Sequence, residues 1–562
     1  MAHCSGGGNN GVDYFSLVET HEKAGLDTAE IERGLVTATT NIARHAGQAS
    51  RCIGVVLQRF VHTDRDRCSP KATSLALAIL KTLSRQFDSN NEVSSRNAID
   101  GLLQLVHTMR LDSKDKESHV DSQRTYTIDA CNEALTCVAN AMLLHPECRA
   151  YVAEHHCLDI IVEFLRATAE KPTAAFLCAR CLMLALGTKE SARYCVEKLQ
   201  LQVILAQTVE LYLRRELAGD DSGERFTPLL VMAELLKAAM SLCTYFLRWI
   251  HTDNGSSDGT PNNDDAFPEE NAVEFASLLR VCLDTLHALP LVNGHLAAPA
   301  KQAGSIAMNF PTRNPEAVKE IWLPNDNLWR NVDSIYEHLS AIVIAIVDKS
   351  EEGSLEKAAH LSNAVDEYQD ELAPLALVLM RLVSEHSNVR ERIFRNVYPA
   401  SEIDYSVLPE DRPGLSAKLV RLMRNPHGGI LPTAIGDFVL ALLGHDIKQF
   451  VMAVGYGNAA GYMLVRGIEI PQEIIDQVKD SMAGTSTVDP VTGRYVGTDS
   501  DRELAEMTDE EKEREAERLF VLFERLNRTG IIKVENPVRA AAESGRFKEM
   551  DDDTSGANED NR

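Results

Sequence analysis

The 562-residue sequence predicts an all-α fold, an armadillo/HEAT-like helical-repeat solenoid with a C-terminal helical extension. Three observations lead there. The chain is too long for one globular core, since such cores stop growing near ~250–300 residues, so it divides into domains or extends as an array. Aromatics are only 6% of residues and no run of alternating β-branched residues reads as a strand, which favours helices. Four segments that are apolar almost all round begin at positions 73, 128, 173 and 229. That spacing is close to the ~40–47 residues of armadillo and HEAT repeats.

Residues 1–12 are rich in Gly and Asn and are expected to be disordered. The repeat array is assigned to residues 13–466. In Thr73–Gln86, Ala76, Ile79, Leu80 and Leu83 share one face. Ile128–Leu144, Thr173–Leu186 and Leu229–Leu247 have the same all-round apolar character, so each should be buried on most sides. Shorter pieces such as Cys148–Leu165 complete repeats of two or three helices. The stretch 251–271, full of Gly, Ser, Asn, Asp and Pro, reads as a disordered insertion. Helical pattern resumes at Ala272–Leu289, and Pro290–Pro315 is broken by Pro and Gly. Helices return at Leu328–Asp348, Ala358–His386, Leu415–Met423 and Leu431–Val454.

Residues 467–506 form a linker with turn signals at Asp489-Pro490 and Thr492-Gly493. Residues 507–532 are the C-terminal amphipathic helix region. Thr508-Asp509-Glu510-Glu511 is a capping box, in which the Thr hydroxyl and the Glu carboxylate each satisfy a free backbone N–H. Ala516, Leu519, Phe520, Phe523 and Leu526 follow at helical spacing, a face that can dock on the array or on a partner. Residues 533–562 are an acidic tail, expected to be largely disordered.

The formal net charge of −26 repels phosphate backbones and argues against nucleic acid as the partner. No ~18-residue uncharged apolar run is present, so no transmembrane segment is expected. The N-terminus lacks a basic and apolar signal pattern. Most of the twelve cysteines lie in apolar helical stretches, which reads as a cytoplasmic chain with reduced, buried thiols. Cys178 and Cys181 form a lone CxxC with no second ligand pair, so core packing is the reading there.

There is no GxxxxGK[ST], HExxH or G-x-S-x-G motif. Gly455–Gly461 places its third Gly one residue too late for a dinucleotide loop and follows helix rather than strand, so it reads as a helix terminus and turn. His155 and His156 are adjacent and would face different ways on a helix. No catalytic constellation, metal or cofactor site emerges. The expected function is binding, without covalent chemistry.

The apolar helices carry narrow polar stripes. Lys81 and Arg85 stand four residues apart; Asn132, Thr136 and Asn140 repeat at the same interval; Arg180 is the only charge in its helix; Lys237 follows Glu234 by three. Charges on such helices are costly unless they reach water or a partner. The concave groove of a solenoid would collect them into a ladder suited to a helical peptide that ends in a carboxylate. Alternatively, each group caps a neighbouring helix or bonds a repeat loop.

Several stretches resemble the synembryn family. Val454–Gly467 (VGYGNAAGYMLVRG), Asp489–Arg494 (DPVTGR) and Met507–Ile532 are similar to its C-terminal half, and Leu408–Met423 to the block before it. Leu80–Gln86 and Glu133–Met142 are similar to its groove-lining helices. The resemblance implies a receptor-independent guanine-nucleotide exchange factor and folding chaperone for heterotrimeric G-protein α subunits (Gα), GDP-bound, nascent or nucleotide-free; the alternative is a generic armadillo-type scaffold or adaptor without exchange activity. It implies that the groove takes the Gα C-terminal helix. Lys81 and Arg85 would meet its terminal carboxylate, and Asn132, Asn140, Arg180 and Lys237 would lie along the same groove. Leu519, Phe520 and Phe523 of the C-terminal extension would touch the nucleotide domain. Met183 and Met240 stand where the family often has aromatic residues. Gln477–Val488 has few acids where animal members carry an acidic Ser/Thr cluster, which argues against control by an acid-directed kinase there. A monomer is expected, cytoplasmic and recruited to the plasma membrane or cell cortex through Gα.

Overall fold

The computed structural model describes residues 53–54, 56–63, 70–85, 92–112, 121–220, 223, 225–253, 267–351, 357–399, 407–424, 429–469, 488–489 and 494–495. Residues 1–12, most of the 467–506 linker, the 507–532 helix region with Leu519, Phe520 and Phe523, and the 533–562 tail lie outside them.

Among the described residues, twenty α-helices follow one another, in triplets after the first three. The start is α1 (Pro70–Leu83), α2 (Arg96–Asp112) and α3 (Asp121–Leu144). Next come α4 (Pro146–Val152), α5 (His155–Thr168) and α6 (Pro172–Ala185), then α7 (Lys189–Glu197), α8 (Leu201–Leu217) and α9 (Pro228–Asp253). The third triplet is α10 (Glu269–Glu274), α11 (Ala276–Ala288) and α12 (Ala298–Ala307). The fourth is α13 (Glu316–Trp322), α14 (Arg330–Glu351) and α15 (Lys357–Glu385). The last is α16 (Ser387–Val397), α17 (Leu415–Met423) and α18 (Ile430–Leu442), followed by α19 (Ile447–Val454) and α20 (Tyr456–Arg466). Two two-residue strands, β1 (Val488–Asp489) and β2 (Arg494–Tyr495), pair antiparallel around the predicted turns.

The triplets stack as a solenoid of two main layers. In the first, α1, α3, α6, α9, α12, α15 and α18 each pack on the next. In the second, α5 packs on α2, and α11, α14 and α17 continue the row beyond α8. Each second-layer helix packs on the first-layer helix that follows it in sequence. Their shared apolar faces make one continuous core. The all-round apolar helices of the sequence are first-layer ones, and α3, α6 and α9 are each flanked by two first-layer neighbours and backed by a second-layer helix.

Local signals set the boundaries. Pro172 opens α6 at its first turn, where the missing N–H costs nothing. Thr188 caps α7, its hydroxyl accepting from the Ser191 N–H at 3.2 Å. Asp446 caps α19, accepting from the Lys448 and Gln449 N–H groups at 2.9 and 3.1 Å. Gly467 closes α20 in the left-handed conformation, at φ 67. Gly455, at φ 85, turns the chain between α19 and α20, so the glycine-rich stretch is a helix junction.

The structure corrects four boundaries. Cys148–Leu165 is two helices, because Glu154 is extended and starts a new one. Leu431–Val454 is likewise broken, at Gly444 and His445, both with positive φ. Pro290–Pro315 holds a full helix, α12, whose Pro299 sits in the first turn where it is tolerated. The expected insertion at 251–271 is ordered at its far end. Phe267 is buried, with its ring 4.7 Å from Phe275 and 5.1 Å from Phe310, and its N–H bonds the Asn309 carbonyl at 2.8 Å. The polar composition around Phe267 hides this anchor.

α9 is long and apolar enough to cross a membrane over Pro228–Ile250, but 61% of its most apolar window is buried inside the array. It contacts α6, α8 and α12 and carries Glu234 and Lys237. It is a core helix.

Candidate functional site

First-layer neighbours run parallel and in register, and two thiols show how. Cys137 Sγ of α3 donates to the Leu77 carbonyl of α1 at 3.8 Å, and Cys181 Sγ of α6 donates to the Leu135 carbonyl of α3 at 3.6 Å. Asn140 Nδ2 of α3 reaches Ser84 Oγ after α1 at 3.5 Å. This register puts Lys81, Thr136, Arg180 and Lys237 at one level across α1, α3, α6 and α9.

The cations on that line are not bare. Lys81 Nζ lies 2.7 and 2.6 Å from the two oxygens of Glu133, on α3. Arg180 donates its Nε–H to Glu234 of α9, and Lys237 Nζ reaches the other oxygen of the same carboxylate at 3.3 Å. The Glu234 side chain is 2% exposed, against 32% for Arg180 and 43% for Lys237. A buried carboxylate thus sits beneath two cations that keep part of their surface in water, an arrangement that satisfies the charge desolvated most. Arg85, in the turn after α1, is exposed and makes no ion pair with a described residue.

Arg180 is also held by an aromatic stack. Its guanidinium lies 5.0 Å over the Phe176 ring, Phe176 stacks on Phe226 at 4.0 Å, and Arg225 covers Phe226 at 5.1 Å. Such packing stiffens a long side chain and fixes which N–H groups face outward. Half-buried Met183 and Met240 follow Arg180 and Lys237 by three residues, one turn further along their helices. Half-buried Met308 and Met380 extend the pattern to α12 and α15, three residues after Ser305 and Leu377.

Electrostatics follow burial. Burial pushes the Cys137 thiol up, Glu133 adds to this, and Lys81 and Arg85 oppose it. Burial pushes the Cys181 thiol up to about 12, with Arg180 opposing. Asp129, near Glu133, is raised by burial and then by that like charge. Both thiols therefore stay protonated at neutral pH.

The structure therefore brings Lys81, Arg180 and Lys237 onto one line, with Asn140 and Arg85 a turn away at its α1 end. Asn132 differs from the others. It is buried, and its Oδ1 has no hydrogen-bond partner. What the sequence reading lacked is the anchoring role of Glu133 and the bond from Arg180 to Glu234 across two helices. An acid inside an otherwise apolar helix was the available signal, since such a group requires a partner.

Cys178 and Cys181 are fully buried core thiols. Away from the line, His156 Nε2 lies 3.3 Å from Asp100 Oδ1 and 3.3 Å from Cys157 Sγ. Burial pushes the Cys157 thiol up to about 12, which keeps it protonated.

A family profile described as guanine nucleotide exchange factor synembryn matches residues 76–546. The chain is 25% identical to the chaperone Ric-8A of Bos taurus over 427 residues, covering 72% of this chain and 73% of that protein. It is 30% identical to the chaperone Ric-8A of Macaca fascicularis over 190 residues, covering 32% of this chain and 34% of that one. A synembryn-like chaperone of Schizosaccharomyces pombe is 28% identical over 204 residues, covering 34% of this chain and 38% of its own length. Those last two alignments therefore span about a third of the relatives' length. The profile match covers most of the chain and both cation pairs, and the chain belongs to the synembryn family of guanine nucleotide exchange factors.

Proposed function

We propose that this chain binds the α subunits of heterotrimeric G proteins, holds their C-terminal helix along the first layer, and favours the nucleotide-free conformer. The observation that carries this reading is the line of partly exposed cations on α1, α6 and α9, with exposed Arg85 at one end. A helix that ends in a free carboxylate presents two anionic oxygens beyond its last turn, and a Lys–Arg pair receives them by charge-assisted hydrogen bonds. Lys81 and Arg85 form that pair, and the half-buried methionines beside Arg180 and Lys237 receive the apolar face of the helix.

Exchange needs no covalent step. A protein that binds the empty α subunit better than the GDP-bound one lowers GDP affinity by the same factor, because linkage is reciprocal. Holding the C-terminal helix apart from the nucleotide domain supplies such a preference. The same preference for an open client stabilises a nascent α subunit by mass action, which is the chaperone role.

The test is binding of a free Gα C-terminal peptide to the full chain, as free acid and as C-terminal amide. The free acid binds more tightly, and Lys81→Glu with Arg85→Glu abolishes the difference. Equal binding of acid and amide to the wild-type chain contradicts the groove assignment.

A further inference from the structure

The cation line has two separate points at which a carboxylate of this chain holds a cation. The first is Lys81, which Glu133 anchors, with exposed Arg85 four residues further on. The second is Arg180 with Lys237, anchored by Glu234. At the first point Lys81 is paired and Arg85 is not, and at the second both cations share Glu234, so each point keeps a single net positive charge. At the second point Glu234 takes only the Nε–H of Arg180, and the stack on Phe176 holds the guanidinium plane. The outer N–H groups of Arg180 and the Lys237 ammonium, 32% and 43% exposed as side chains, are free to receive a second carboxylate.

We infer that Arg180 and Lys237, positioned by the buried carboxylate of Glu234, bind an acidic side chain of the same partner helix whose terminal carboxylate meets Lys81 and Arg85. This rests on the reading above, in which the helix lies across the first layer. Packed helices are about 8–10 Å apart. Two to three steps separate α1 from the Arg180–Lys237 pair, so the two points lie roughly 20–25 Å apart. At about 1.5 Å rise per residue, that span corresponds to an acidic residue roughly 13–17 positions before the partner's C-terminus. The groove therefore measures a spacing between two carboxylates. Glu234 is a positioning residue: it touches no partner atom and fixes the two cations that do.

The test uses synthetic Ala/Gln-based helical peptides of about 26 residues, each with a free C-terminal carboxylate and one Glu, on the full chain. The Glu stands about 6, 15 or 22 positions before the end, and fluorescence anisotropy reads the affinity. The peptide with Glu near position 15 binds about 5-fold tighter than the other two, as expected for one partly exposed ion pair. Replacing Arg180, Glu234 and Lys237 together by Met removes that preference without leaving a buried charge behind. The same variant keeps the penalty for a C-terminal amide, which Lys81 and Arg85 impose. Lys237→Gln, a change at a half-exposed side chain, reduces the spacing preference in the same sense. Equal affinity for the three peptides, or a preference that survives the triple change, overturns the inference. If the amide carries no penalty on the wild-type chain, the groove assignment itself fails, and that result is read separately. No binding of any peptide contradicts both.

Discussion

Arg180 of α6 and Glu234 of α9 form an ion pair across two adjacent repeats, with the carboxylate 2% exposed and the guanidinium still partly in water. The pair joins the two helices and shapes the surface above them. Its asymmetry predicts an unequal response to substitution. Arg180→Ala with Lys237→Ala strands a buried carboxylate and lowers stability by about 3–5 kcal/mol. Replacing all three residues by Met costs far less, since no charge is left in the core. Urea unfolding followed by circular dichroism compares the two, and equal losses would contradict this account of Glu234.

Gly436 packs against Tyr462 so closely that an added Cβ would lie 2.3 Å from the ring. The ring cannot move freely, because the Tyr462 hydroxyl bonds Asp437, which also holds Arg466 at 2.9 and 2.7 Å. Gly436→Ala is therefore expected to destabilise the α18–α20 end by about 1–3 kcal/mol. Hydrogen exchange should show faster opening there and an unchanged rate in α6 and α9.

Asp446 caps α19, and its carboxyl is held below the ordinary range chiefly by the Gln449 N–H. A folded value below the unfolded ~3.9 means that this contribution is complete above that pH and fades as pH falls through the lower folded value. Asp446→Asn keeps an acceptor and removes the pH dependence, whereas Asp446→Ala costs about 1 kcal/mol at neutral pH. Thermal melts at pH 7 and pH 3 separate the two variants.

The buried thiols should be silent in the folded chain. Cys178, Cys181, Cys243 and Cys282 are all fully buried, and burial raises each of them. At pH 7.5 a maleimide should label these four only as fast as the array opens. Mass spectrometry of the labelled peptides checks this, and rapid labelling at any of the four in the native chain contradicts the packing described.

Much of the array was legible in the sequence. The first-layer helices announce themselves because burial on several sides leaves no polar face, as in Pro172–Ala185 with Arg180 as its one charge. The second layer and the short helices were harder to read. The break at Glu154 falls where no Gly or Pro marks it, and Phe267 is a single apolar anchor in a polar stretch. The line of Lys81, Arg180 and Lys237 could be suspected from stripes within helices. Its pairing could not, because Arg180 and Glu234 are 54 residues apart and only the repeat register brings them together.

The central claim is tested most directly by GDP release from a purified α subunit, with and without the full chain, followed by a chase with a non-hydrolysable GTP analogue. The account predicts faster GDP release and a stable nucleotide-free complex that the GTP analogue dissolves. An unchanged release rate for α subunits that do bind the chain would contradict it.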